Sequence, residues 1–264
     1  MVKVIAHRGA SAYAPENTLA AFEKAIEQKA DIIELDVRPT LDQKVVVFHD
    51  AKLNRTTDKR GFVRMRTLGE LKQINAGRWF GFTEFKNETI PTFDEVLNQT
   101  EGKCELLVEI KSEGTVVRVN FIRNLMNSII IAKAKERVIV QSFDTRILNL
   151  LHKYYPGFRY QKLIVVKVPG FKIQLDKRVM VENILRKNHY ESINVDHRFL
   201  TKTFIDKIHR NRKQVYCWTV NDPNRMKKLI ELGVDGIITN HPDILHSVIA
   251  EKFSKEFKII LPPN

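Results

Sequence analysis

Short runs of β-branched and other apolar residues alternate with amphipathic stretches along almost the whole chain. Residues 2–6 read as a strand. Residues 16–28 follow as a helix, with Leu19, Ala20, Phe22 and Ile26 at near-helical spacing. A strand over 31–38 and a short extra strand over 44–48 come next, and then a helix over 92–100. Beyond them the rhythm predicts strand 106–110, helix 115–132, strand 138–142, helix 145–153, strand 160–166 and helix 177–187. Strand 192–195, helix 201–211, strand 214–220, helix 224–232, strand 236–239 and helix 243–251 complete it.

Eight strand-then-helix units predict a parallel sheet, and at this length a single α/β domain over 1–264, a (β/α)8 TIM barrel. Periodicity does not distinguish closure from an open doubly wound sheet. Residues 51–90 break the rhythm, with Gly61, Gly69, Gly77 and Gly81 among Trp79, Phe80, Phe82 and Phe85. Lying between a strand and its helix, this stretch is expected as a small insertion capping the catalytic face, where βα connections lie.

Composition narrows the classes. The 264 residues are 43% hydrophobic, enough for a large core, and two cysteines, Cys104 and Cys217, cannot staple a chain of this size. No apolar run approaches a membrane span, and the N-terminal residues read as strand and not as a signal peptide. A cytoplasmic location is the expectation. The formal net charge of +13 points to anionic company: a phosphate-bearing substrate, an anionic membrane surface or nucleic acid. The basic run from Lys207 to Lys213 lacks interleaved aromatics and reads as a solvated helix end, so no nucleic-acid partner is expected.

In Asp31-Ile32-Ile33-Glu34-Leu35-Asp36-Val37 strand alternation puts Glu34 and Asp36 on one face. Two inward carboxylates require compensation, most simply a hard divalent cation; an exposed polar strand edge is the other reading. Glu109 and Lys111 share a face at the end of the next main strand, as part of the same site or as a surface pair. His7 and His49 each end a strand and each precede a charged residue. A histidine pair supplies an acid and a base near neutrality, and Arg8 offers a fork for phosphate oxygens. Trp218 reads as a wall for a substrate or as a core aromatic. His152 and His209 read as surface helix residues, and His197 as a residue that could approach the mouth.

Several motifs in this order resemble the glycerophosphodiester phosphodiesterase family from end to end. They are His7-Arg8-Gly9 with Pro15-Glu16-Asn17-Thr18, Glu34-Leu35-Asp36-Val37, Val47-Phe48-His49-Asp50 and Val108-Glu109-Ile110-Lys111. Gln141-Ser142-Phe143-Asp144, Trp218-Thr219-Val220-Asn221 and the stretch from Gly233 to Pro242 follow. The resemblance implies a barrel enzyme that hydrolyses small-molecule phosphodiesters to glycerol 3-phosphate and an alcohol. It implies one divalent cation, Ca²⁺, Mg²⁺ or Mn²⁺, on Glu34, Asp36 and Glu109, with His7 and His49 as the acid–base pair. Arg8 and Lys111 would hold the phosphate, and Gln141 and Trp218 would line the pocket. Asn240 stands where the family's final turn usually carries Asp, with little consequence expected. A lysophospholipase D-type enzyme weakly associated with an anionic membrane is the close alternative. An inactive barrel that binds anionic ligands or nucleic acid is the distant one, disfavoured because all three carboxylates and both histidines are present.

Overall fold

The structure is a computed structural model describing residues 1–112, 114, 116–164, 182, 184–187 and 189–260, the side chains of 253–260 apart. Eight strands run parallel: β1 (Lys3–His7), β2 (Ile32–Pro39), β4 (Glu105–Ile110), β5 (Val138–Ser142), β6 (Arg159–Ile164), β7 (Ser192–Asp196), β8 (Gln214–Trp218) and β9 (Gly236–Thr239). Pairing of β1 with both β9 and β2 closes the sheet into a barrel, so the open doubly wound alternative does not hold. The short β3 (Val45–Val47) adds antiparallel to β2 outside that ring.

Helices α1 (Leu19–Glu27), α3 (Phe93–Gln99), α4 (Val119–Ile131), α5 (Thr145–Tyr154), α6 (Lys202–Arg210), α7 (Pro223–Leu232) and α8 (Pro242–Ile260) follow the strands; α2 (Leu68–Leu71) lies in the insertion. Their apolar faces meet the outward residues of the strands. Val4, Ala6, Ile33, Leu35, Val108 and Val140 join Phe22, Phe93, Leu125 and Leu148 in one core between sheet and helices.

The expected elements recur with shifted ends. The first helix begins at Leu19, not at residue 16, because Thr18 caps it through a bond from Ala21 N and Asn17 is left-handed (φ 57°). The helix expected over 115–132 starts at Val119, and the last helix runs on to Ile260. Residues 165–166 and most of 177–187 lie outside the described residues. Lys213, expected in solvent, is 5% exposed and donates to the carbonyls of Lys187 (2.6 Å) and Tyr190 (2.9 Å). Among the described residues no helix is long and apolar enough to cross a membrane.

Residues 51–90 build a small core of their own. Leu53, Val63, Leu71, Ile74, Ala76 and Ile90 pack with Val46 and Phe48 beside the barrel. A capping box at Thr67 and Glu70 starts α2, and the chain rejoins the sheet where Val47 N donates to Pro91 O (2.8 Å).

Candidate active site

Inside the barrel, apolar residues precede polar ones along the strands. Ile5, Ile32, Leu107, Ile139, Tyr216 and Ile238 form a buried cluster. Two residues further along stand His7, Glu34, Glu109, Gln141, Trp218 and Asn240. Period-two alternation thus lifts a polar layer above an apolar floor at the C-terminal ends of the strands.

Glu34, Asp36 and Glu109 are all buried, and each offers an oxygen within 4.8 Å of the others. Parallel register sets Asp36 beside Glu109 on the neighbouring strand. Lys111 Nζ bridges that pair, 2.8 Å from Asp36 Oδ1 and 2.7 Å from Glu109 Oε1. Burial, then the charges of Asp36 and Glu109, push the Glu34 carboxyl well up. Burial also raises Glu109. Burial would raise Asp36 too, but Lys111 and Arg8 outweigh it and hold that group below its usual range. Three buried carboxylates sharing one lysine and one arginine lack positive charge. An oxygen-only donor set of this kind fits a hard divalent cation.

Arg8 occupies the left-handed region (φ 57°), as does Gly9 (φ 81°). A Cβ at Gly9 would lie 2.6 Å from the backbone of Ala21, so only glycine lets α1 approach this turn. The turn aims Arg8 N at Glu34 Oε2 (3.1 Å), and Arg8 Nε lies 3.3 Å from Asp36 Oδ2. Asn17 braces Asp36 twice, donating from Nδ2 to Oδ2 (2.9 Å) and accepting from its backbone N–H (3.2 Å).

The two histidines have different partners. His7 Nδ1 lies 2.7 Å from Asn240 Oδ1, and burial followed by the Arg8 charge pushes its imidazole down to about 3. His49 Nδ1 lies 2.5 Å from Asp50 Oδ1, and Arg38 Nε donates to the His49 carbonyl (2.8 Å). Burial lowers His49 as well, against the opposing pull of Asp36. The little weight given to Asn240 from sequence is therefore corrected: it is the hydrogen-bond partner of His7.

Gln141, expected to line the pocket, is 1% exposed and donates to Glu34 Oε1 (3.3 Å), while its own oxygen accepts from Asn194 (2.7 Å). Trp218 is half-buried, edge-on to Phe143 at 5.7 Å, and its buried Nε1 has no acceptor among the described residues. His197 follows β7 on the mouth side, where its Nδ1 accepts from Arg225 Nε (3.2 Å). His152 and His209 are exposed on helices as expected, and Cys217 lies buried in the core between sheet and helices. Glu16, Asn17, Asp50, Arg55 and Asn240 had no role from sequence. All but Arg55 lie within the quoted motifs, and that position was the available signal.

A closed barrel with a polar, carboxylate- and histidine-lined mouth has the layout of an enzyme active site. The chain belongs to the glycerophosphoryl diester phosphodiesterase family, whose model matches residues 7–244. It is 38% identical to YhdW of Bacillus subtilis over 243 residues, covering 92% of this chain and 96% of that one. It is 36% identical to a glycerophosphodiester phosphodiesterase of Caldanaerobacter subterraneus, over 93% of this chain and 97% of the other. Among solved structures, an Oleispira antarctica phosphodiesterase in complex with its product sn-glycerol-3-phosphate superposes with a TM-score of 0.83. The two share 28% identity over 94% of this chain and 96% of that one. The protein is thus an enzyme of the glycerophosphodiester phosphodiesterase class.

Proposed function

We propose that the protein hydrolyses glycerophosphodiesters such as glycerophosphocholine and glycerophosphoethanolamine to glycerol 3-phosphate and an alcohol, using a divalent cation held by Glu34, Asp36 and Glu109. The observation that carries the reading is the buried carboxylate trio with Arg8 and Lys111 set against it. When bound, the cation supplies Lewis-acid stabilisation of the phosphoryl oxygens. Arg8 and the third N–H of Lys111 hold the remaining phosphate oxygens, which suits the charge demand of phosphoryl transfer.

His7, neutral through the physiological range, donates Nδ1–H to Asn240 and so presents an unprotonated Nε2. That nitrogen accepts the proton of the attacking oxygen, a glycerol hydroxyl or water, as that oxygen bonds to phosphorus. The bond from phosphorus to the departing oxygen breaks, and His49, held through Nδ1 by Asp50, protonates the leaving alcohol. The cyclic phosphate formed by the hydroxyl is then opened by water with the two histidines in exchanged roles. Gln141 acts through Glu34, and Trp218 forms one wall. Residues 51–90 act as the cap over this mouth.

Glycerol 3-phosphate release from a panel of glycerophosphodiesters tests the reading, with EDTA-stripped protein and Ca²⁺, Mg²⁺ or Mn²⁺ restored. Cation-dependent release lost in Glu34→Ala and His49→Ala is the expected result. Equal activity in both variants overturns it.

Lysophospholipids are a second substrate class, supported by exposed apolar side chains in the insertion and after β5. Trp79 (39%) and Phe82 (62%) lie in the basic insertion, and Phe143 (40%) follows β5. Choline release from lysophosphatidylcholine vesicles, absent with glycerophosphocholine, would favour that class.

A further inference from the structure

Arg55 lies in the insertion, five residues beyond Asp50, and its guanidinium fork grips two carboxylates at once. Nε lies 2.8 Å from Asp50 Oδ2 and Nη2 lies 3.2 Å from Asp50 Oδ1. Nη1 lies 2.8 Å from Glu16 Oε2 and Nη2 lies 2.7 Å from Glu16 Oε1. Each carboxylate is shared with a residue of the mouth. Asp50 Oδ1 also meets His49 Nδ1 at 2.5 Å, and Glu16 Oε1 also accepts from Arg8 Nη1 at 2.8 Å. A continuous series therefore runs from His49 through Asp50, Arg55 and Glu16 to Arg8.

We propose that Arg55 is a positioning residue that couples the insertion to the reaction, by fixing the two carboxylates that aim His49 and Arg8. The inference rests on the roles given above to those two residues. An isolated ion pair on a surface does little. This one differs in geometry and in its partners: all four contacts are N–H···O bonds from one rigid fork, and the Glu16 side chain is only 13% exposed. A lysine has the charge but not the fork, so it cannot hold both carboxylates in register. Without Arg55, Asp50 and Glu16 become neighbouring acids with no common cation. Their side chains then rotate apart, and His49 and Arg8 lose alignment while the insertion core of Leu53, Leu71 and Ile90 stays packed. Misplacement on the order of 1 Å costs about a hundredfold in rate.

The test uses the full chain with its cation, as Arg55→Ala, Arg55→Lys and, as a control, Arg60→Ala at an exposed insertion position outside the series. Release of glycerol 3-phosphate from glycerophosphocholine gives kcat and KM, and histidine-ring ¹⁵N–¹H spectra give the state of each imidazole. Expected are a kcat fall of about 10- to 100-fold in both Arg55 variants, partial rescue of Arg55→Ala by added guanidinium, and a shifted His49 resonance. Arg60→Ala keeps the wild-type rate. Should Arg55→Ala fold poorly, Arg55→Lys carries the same comparison. Rates within twofold of wild type, or His49 signals that do not move, overturn the proposal. An inactive wild type would instead overturn the substrate reading, while the ring spectra would still decide whether Arg55 orients His49.

Discussion

His7 and Asn240, 233 positions apart in the chain, meet through a 2.7 Å contact between Nδ1 and Oδ1 at the closure of the barrel, where β1 pairs with β9. Asn240 is itself held, because its backbone N–H donates to Asn221 Oδ1 (2.9 Å), which also accepts from Thr239 Oγ1 (3.2 Å). The amide oxygen can only accept, so this contact favours the Nδ1–H tautomer, the one in which the proposed base, Nε2, is unprotonated.

Asn240→Ala should therefore lower kcat by about 10- to 100-fold with little change in KM, since base catalysis of this kind contributes about 10²–10⁴-fold. Asn240→Asp keeps an acceptor at the same place and should retain more activity than the alanine variant. Steady-state kinetics with ¹⁵N tautomer assignment of His7 checks both. An unchanged tautomer and rate in Asn240→Ala would dismiss the role.

Lys111 lies between two buried carboxylates and is mostly buried itself. Lys111→Met removes one partner of that arrangement and leaves acids in a low-dielectric site, which costs about 3–5 kcal/mol. In EDTA the variant should melt well below wild type. Restored Ca²⁺, Mg²⁺ or Mn²⁺ should recover more of its melting temperature than of the wild type's, because the cation meets less competing charge. Thermal melts with and without each metal decide it; equal melting of both proteins in EDTA would contradict the reading.

The insertion is anchored by packing as well as by Arg55. Leu71 is fully buried among Leu53, Val63, Ile74 and Phe48. Leu71→Ala should destabilise the protein by about 2–5 kcal/mol, as buried leucine truncations do. Urea unfolding followed by tryptophan fluorescence would measure it, with Trp79 reporting from the insertion and Trp218 from the barrel. A cost under about 0.5 kcal/mol, the range of surface substitutions, would mean that this cluster does not hold the insertion.

Strand parity made the barrel interior legible. Glu34 and Asp36 on one strand and Glu109 and Lys111 on the next could be placed on common faces from alternation alone, and they meet. The extents of β5 and β9 were equally readable, each being a short apolar run between turn residues. What alternation could not give is the support from loops. Asn17 braces Asp36 from a left-handed backbone position, which asparagine tolerates but which strand alternation does not predict. Arg55 and Asp50 are near each other in sequence, but Glu16 reaches the same fork from 39 residues away. Gln141 could be placed near the site from its motif, but not its bonds to Glu34 and Asn194, which come from strands far apart in sequence. Lys213, the end of a basic run, is drawn inward by two carbonyls that no charge pattern announces.

Acid stability should report a histidine far from the mouth. His189 precedes β7, at the opposite end of the barrel, with its ring stacked on His152 at 4.2 Å and edge-on to Tyr190 at 4.2 Å. Burial, then the charges of His152, Lys187 and Lys213, push its imidazole down to about 4 from an ordinary 6.5. Between those values the unfolded chain binds a proton that the folded chain refuses. Its contribution is therefore fully present above about pH 6.5, declines as pH falls toward about 4, and is constant below that. One proton sets an upper limit of about 1.36 kcal/mol per pH unit on the slope, and the half-exposed ring should give less. His7 and His49, also lowered, contribute slopes of the same sign, so the comparison must be differential. Urea unfolding of wild type and His189→Gln from pH 4.5 to 7 should give a shallower acid slope for the variant, with the rate of hydrolysis at neutral pH unchanged. Identical slopes would mean that His189 titrates alike in the folded and unfolded chain.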